Sequence, residues 1–219
     1  MADRDLIAQC DLFHDLTEAE LDGIVGAATV RDLRRGDVLF GEEDESNELF
    51  LVDDGRIAMT QRSIDGRESV IALMERGDLF GEMPLFDGLG RSTEARALEP
   101  SKVTIIGYDP VRAMYEARPT LLWNVVSMLS QRLRATDAAL ADSVFLDVTG
   151  RTAKRLLELA GDDDEFVLPV TQEELAGMVG ASRERVNKAI ASFVKLGWLD
   201  QRDRRYVITD REQLTRRAT

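Results

Sequence analysis

The chain contains one cysteine and one histidine among its 219 residues. A lone cysteine excludes an internal disulfide, a cysteine-ligated iron–sulfur cluster and a cysteine-rich zinc site built from one chain. The lone histidine, His14, falls outside the strand-rich region, so the histidine and carboxylate sets that metal-dependent jelly-roll oxygenases place on strands are missing. Cys10 and His14 are four apart and able to share a helix face, but two ligands do not close a metal site, and a partly buried pair is the expectation. No metal is expected. No nucleophile–base constellation is present either, which weighs against catalysis. An apolar run long enough to span a membrane is also lacking. The opening stretch MADRDLIAQCDLFHDL is too charged for a signal peptide, so a cytoplasmic location with no membrane association is expected. No internal repeat and no low-complexity tract is found.

Positive charge is in deficit overall, at a net −13, but unevenly. Residues 1–146 carry 15 basic and 28 acidic side chains, whereas residues 147–219 carry 13 of each. The last third can therefore approach a phosphate backbone without net repulsion. The division suggests two domains with different partners; an acidic surface also serves plain solubility.

From Thr29 to Tyr108 short β-type runs alternate with glycine-centred turns: Val38–Phe40, Leu49–Val52, Ile57–Gln61, Ser69–Met74, Ala95–Leu98 and Lys102–Tyr108. The turns include Arg35-Gly36-Asp37, Asp53-Asp54-Gly55, Asp65-Gly66 and Arg76-Gly77-Asp78. Strands at this spacing predict an antiparallel jelly roll. A capping box, Thr17-Glu18-Ala19-Glu20, opens a helix before it, and Pro110 to Ala117 forms a small helix after it. Pro119 then starts a stretch, Arg118 to Val144, without further Pro or Gly, predicting one helix of about twenty-five residues. Leu122, Val126, Leu129, Leu133, Thr136 and Leu140 follow the alternation of a two-stranded coiled-coil seam. Thr136 is polar within it: either it fixes register or it holds something between two helices.

Past Leu146, Asp147 is an N-cap for RTAKRLLELA, which Gly161 can end. The acidic run Asp162 to Glu165 predicts a solvated loop. TQEELAGMV, GAS and RERVNKAIASFVKLG then form a helix-turn-helix pattern, with Thr171 and Ser182 as caps. Trp198-Leu199 and Tyr206-Val207-Ile208 flank a basic turn as a wing, and a short helix and basic tail follow.

Between two of the strands lies FGEMPLFDGLGRST, residues 80–93. Small residues there allow close backbone approach, Arg91 offers a bidentate fork to a phosphate, Ser92 adds a hydroxyl, and Glu82 can accept from a sugar hydroxyl. Together these suit a cyclic sugar phosphate; taken singly, an Arg near a Glu in a barrel loop is more often a structural ion pair. The order Gly81-Glu82, Leu85-Phe86, Arg91-Ser92, then the long helix, Asp147-Val148-Thr149-Gly150-Arg151 and Ser182-Arg183-Glu184-Arg185-Val186 resembles the cyclic-AMP receptor protein (catabolite activator) family of bacterial transcription regulators. The resemblance covers nearly the whole chain.

It implies an α+β architecture: a cyclic-nucleotide-binding β-roll over residues 1–117, a dimerisation helix and hinge over 118–146, and a winged helix-turn-helix over 147–219. It implies that Gly81 and Glu82 belong to the ligand site with Glu82 on the ribose 2′-hydroxyl, that Arg91 and Ser92 hold the cyclic phosphate, and that Ile71 and Met74 wall the purine. It further implies that Arg132 reaches toward the phosphate side and that Thr136 meets adenine across the dimer seam. Asp137 stands where Ser or Asn is usual. A carboxylate accepts from an exocyclic amine but cannot donate, and it brings negative charge toward an anionic ligand. Cyclic AMP is the first candidate effector. In the reading helix, Arg183 suits guanine O6 and N7, Glu184 suits cytosine N4, and Lys188 replaces the more usual Arg on the same face. Thr171 and Ser182 resemble phosphate-contacting positions. The expected partners are a second copy of the chain, a palindromic DNA operator and RNA polymerase. A ligand-independent regulator, with Glu82 and Arg91 paired to each other, is the rival expectation.

Overall fold

The computed structural model describes residues 2–62 and 68–219. The expected Asp65-Gly66 turn lies outside the described residues. Contacts group Met1–Gln61 with Ile71–Leu133 as one unit and Arg62–Val70 with Arg134–Thr219 as a second.

The first unit begins with α1 (Arg4–Gln9), where the Asp3 carboxylate accepts from Leu6 N, and α2 (Glu18–Ala27). The Thr17 capping box closes as the spacing predicts, with Thr17 N donating to Glu20 at 2.7 Å. α1 stops before Cys10, so Cys10 and His14 share no helix face: Cys10 is buried and His14 is exposed. Among the described residues no group of histidine, cysteine and carboxylates is placed to hold a metal ion.

The roll consists of β1 (Thr29–Leu33), β2 (Val38–Phe40), β3 (Glu48–Asp54), β4 (Ile57–Arg62), β5 (Glu68–Met74), β6 (Leu79–Phe80), a short α3 (Met83–Asp87), β7 (Glu94–Ala97) and β8 (Ser101–Gly107). The strands form two sheets, ordered β1-β8-β3-β6 and β2-β7-β4-β5. The pairings β1–β8, β3–β8 and β3–β6 in the first sheet and β2–β7 and β4–β7 in the second are antiparallel. Inward residues of both sheets share one apolar cluster, at whose centre Phe40, Phe50 and Phe80 lie with ring centroids 5.3 to 6.2 Å apart. The outer face of the β3 and β8 sheet packs on α1, α2 and α4 (Tyr108–Ala117) through Leu49, Leu51 and Ile106.

A single 3-10 turn, Pro119–Leu121, precedes α5 (Leu122–Phe145), because proline supplies φ but no N–H for the first turn. Leu121, Val125 and Met128 are buried in the helix-packed cluster of the roll. The other stripe of α5, Leu122, Val126, Leu129, Leu133 and Leu140, is 40 to 63% exposed. These are the positions that the heptad spacing selects as a seam.

The second unit contains α6 (Val148–Ala160), β9 (Glu165–Val167), α7 (Gln172–Val179), α8 (Arg183–Leu196), β10 (Leu199–Arg202), β11 (Arg205–Ile208) and α9 (Arg211–Arg217). Its sheet runs β10-β11-β9. The acidic run, expected to be loop, ends in strand: Glu165 opens β9, which pairs with β11. Gly180 takes the left-handed conformation that ends α7, and Ser182 restarts the chain as α8. Among the described residues no helix is long and apolar enough to cross a membrane.

Candidate functional site

The loop after β6 is shaped by backbone that only glycine allows. Gly81 has φ +78°, and a Cβ there would lie 2.5 Å from Arg91 Nη1 and 3.2 Å from Phe50. At Gly90 a Cβ would lie 2.8 Å from the Glu43 carbonyl oxygen, across the backbone pairing of Glu43 N with Arg91 O (2.8 Å) and Arg91 N with Asp44 O (3.0 Å). The two glycines therefore let the Glu82 and Arg91 segments close on each other.

Glu82 is 1% exposed and accepts an ion-paired hydrogen bond from Arg132 Nη1 through Oε1. Its Oε2 is buried without a partner. Arg132 also donates to the Leu79 carbonyl at 2.6 Å, anchoring α5 to β6. Arg91 is 4% exposed, with Nη1 donating to Gly81 O (2.7 Å) and Nη2 to Glu48 O (2.8 Å). Its guanidinium lies 4.1 Å above the Phe40 ring, and its Nε is buried and unpartnered. Burial pulls the Arg91 pKa down, and neighbouring Tyr108 and Glu48 oppose that shift. Glu82 pairs with Arg132 rather than with Arg91, which removes the structural pairing that the ligand-independent alternative supposes. A buried carboxylate oxygen and a buried guanidinium N–H, both unsatisfied, fit the sugar hydroxyl and the phosphate of a cyclic nucleotide.

The remaining candidates distribute unevenly. Ser92 is exposed near the cradle, with its hydroxyl 3.7 Å from Met83 Sδ. Met74 packs against the roll core, whereas Ile71 is 56% exposed. Thr136 and Asp137 are exposed on the stretch of α5 that belongs to the second unit. Four residues around Arg91, namely Phe40, Ser46, Glu48 and Tyr108, were not expected from the sequence.

In the second unit Thr171 and Ser182 cap α7 and α8, their hydroxyl oxygens accepting from Glu174 N (3.2 Å) and Arg185 N (3.4 Å). Arg183, Glu184 and Lys188 are all exposed on α8. Lys188 Nζ pairs with Glu184 at 2.7 Å, one helical turn apart, and its hydrogen bond holds the Glu184 carboxyl below its usual pKa.

Residues 30–118 match the cyclic nucleotide-binding domain family, and residues 150–217 match the Crp-like helix-turn-helix domain. Over 221 aligned residues the chain is 34% identical to a CRP-like cAMP-activated global transcriptional regulator of Mycobacterium tuberculosis, covering 98% of this chain and 99% of that protein. This chain belongs to the CRP/FNR family. Membership makes it a DNA-binding transcription regulator with a cyclic-nucleotide-binding domain, not an enzyme. The cAMP-activated global transcriptional regulator Vfr of Pseudomonas aeruginosa is 32% identical over 175 residues, 75% of this chain and 82% of Vfr. FixK2 from Bradyrhizobium japonicum, at 20% identity and a TM-score of 0.79 over 88% of this chain and 98% of its own, shares the fold. The jelly roll, long helix and winged helix-turn-helix expected from the sequence are those of this CRP/FNR fold.

Proposed function

We propose that this regulator is a cytoplasmic homodimer controlled by cyclic AMP, held by Gly81, Glu82, Arg91 and Ser92 in the roll with Ile71 and Met74 along the purine. The carrying observation is the pair of unsatisfied buried atoms, Glu82 Oε2 and Arg91 Nε, in one glycine-shaped loop. A ribose hydroxyl donates to the first, and a phosphate oxygen accepts from the second. Arg132 supplies the coupling. Bound phosphate competes with Glu82 for its guanidinium, so occupancy biases the position of α5. Thr136 and Asp137 meet the base from the dimer seam. The altered seam then shifts the population of arrangements available to two reading helices, through the hinge that Asp147 opens.

On DNA, Arg183, Glu184 and Lys188 read the bases of each half-site, while the hydroxyls of Thr171 and Ser182, whose oxygens are engaged in capping, donate to phosphates. Glu184 exchanges its intrahelical lysine for a cytosine amine. Two reading helices one DNA turn apart, about 34 Å, require a palindromic operator. RNA polymerase is the further partner through which the bound dimer acts on transcription. Titration calorimetry with cyclic AMP, cyclic GMP and cyclic di-GMP, followed by footprinting with and without each, tests this. Heat and protection that depend on cyclic AMP are expected. Protection of the same operator without any nucleotide would instead support a ligand-independent regulator.

A further inference from the structure

Arg91 is not held by the loop alone. The Tyr108 hydroxyl, brought in by the first residue of α4, donates to Gly81 O at 2.5 Å, the same carbonyl that Arg91 Nη1 meets. With its one proton spent there, the phenol oxygen accepts from Arg91 Nη1 at 3.3 Å and from Ser46 Oγ at 3.1 Å. Glu48 O takes one Nη2 proton. Of the five N–H groups of a guanidinium, this leaves Nε–H and one on Nη2. Those two nitrogens form the side-on edge, a fork able to meet two oxygens of one phosphate.

We propose that Tyr108 is a positioning residue for ligand binding: it clamps the Nη1 end of Arg91 so that the Nε and Nη2 edge is presented to the cyclic phosphate. The proposal rests on the reading of Arg91 as the phosphate ligand. Tyr108 is 4% exposed and burial raises its pKa, so the phenol keeps the proton it donates to Gly81 at neutral pH. Phe40 limits the guanidinium from one side and Gly81 O and Glu48 O still hold it, so loss of the phenol loosens the Nη1 end rather than releasing the side chain.

The test is calorimetry on the full-length protein with cyclic AMP and its two phosphorothioate diastereomers, which differ only in the exocyclic atom that the fork must meet. Tyr108→Phe keeps the buried ring and should weaken cyclic AMP roughly tenfold, the loss expected for one hydrogen bond to a charged group. The preference between diastereomers should shrink toward unity. In the Arg91→Lys background, where no fork remains to be aimed, the same change should cost less than about twofold. An equal loss in both backgrounds with an unchanged diastereomer preference would mean that Tyr108 only supports the fold and would overturn the assignment. Wild-type affinity and preference in Tyr108→Phe would overturn it while leaving the proposed function intact. Absence of binding by the unaltered protein removes both.

Discussion

Glu82 is a carboxylate with 1% of its surface exposed and one oxygen satisfied by Arg132. Such a group is costly to keep without a partner for its second oxygen, which supports the ligand role proposed for Glu82 over a core contact. Glu82→Gln retains the shape and one acceptor but removes the charge. Cyclic nucleotide binding should weaken by about 1.5–3 kcal/mol, the worth of a hydrogen bond to a charged group. The same change should alter thermal stability little, since Arg132 is 40% exposed on its side chain and resolvates. Calorimetry beside a melting curve separates the two effects; a collapse of the melt with unchanged affinity would make Glu82 purely structural. On the reading helix, Arg183→Ala should cost roughly 1–3 kcal/mol of specific DNA binding and flatten the preference at one position of each half-site. Selection of operators from a random pool by the variant measures this, and an unaltered consensus would remove Arg183 from base readout.

At the scale of elements, the join between α5 and α6 depends on Asp147. Its carboxylate accepts from Gly150 N at 2.8 Å and pairs with Arg217 of α9, and these contacts hold its pKa below the ordinary carboxylate value. A carboxylate with a depressed folded pKa contributes stability that is complete at neutral pH and is lost as the pH falls through that lowered value. Asp147→Ala should therefore destabilise the second unit by about 1 kcal/mol at pH 7, with the difference shrinking in acid. Urea titrations at pH 7 and below the ordinary carboxylate range give the comparison, and a difference that stayed constant would assign the effect to something other than the charge. This cap was legible in the sequence, as were the Thr17, Thr171 and Ser182 caps, because the donor and acceptor lie three residues apart. β6 and β9 were not: Leu79–Phe80 is too short to alternate and Glu165 continues an acidic run that reads as loop, and their strand character comes from β3 and β11 alongside. Likewise, residues 81 to 92 displayed their chemistry as a motif, whereas the cage of Phe40, Ser46, Glu48 and Tyr108 around Arg91 is assembled from separate strands and a helix start. No local pattern announces contacts of that range.

For the whole molecule, the uneven charge and the exposed stripe on α5 act together. Residues 1–146 hold the entire net −13 and residues 147–219 are neutral, so one reading unit alone gains little from attraction to DNA. In the proposed dimer, two units joined along the stripe would double the phosphate contacts and make binding depend on the seam. Leu133 lies on that stripe and is 62% exposed in the single chain, so Leu133→Asp should leave each chain folded. In the proposed dimer, however, it would bury two carboxylates against apolar neighbours, a desolvation that an apolar seam cannot offset. Sedimentation at micromolar concentration should then find a monomer with a normal melting profile. Its DNA affinity should fall toward the non-specific range, and the slope of log K against log salt should drop to about half, since the slope follows the number of phosphates neutralised. A variant that remained dimeric, with an unchanged salt slope, would place the subunit contact elsewhere on the chain and break the link from α5 to the reading helices.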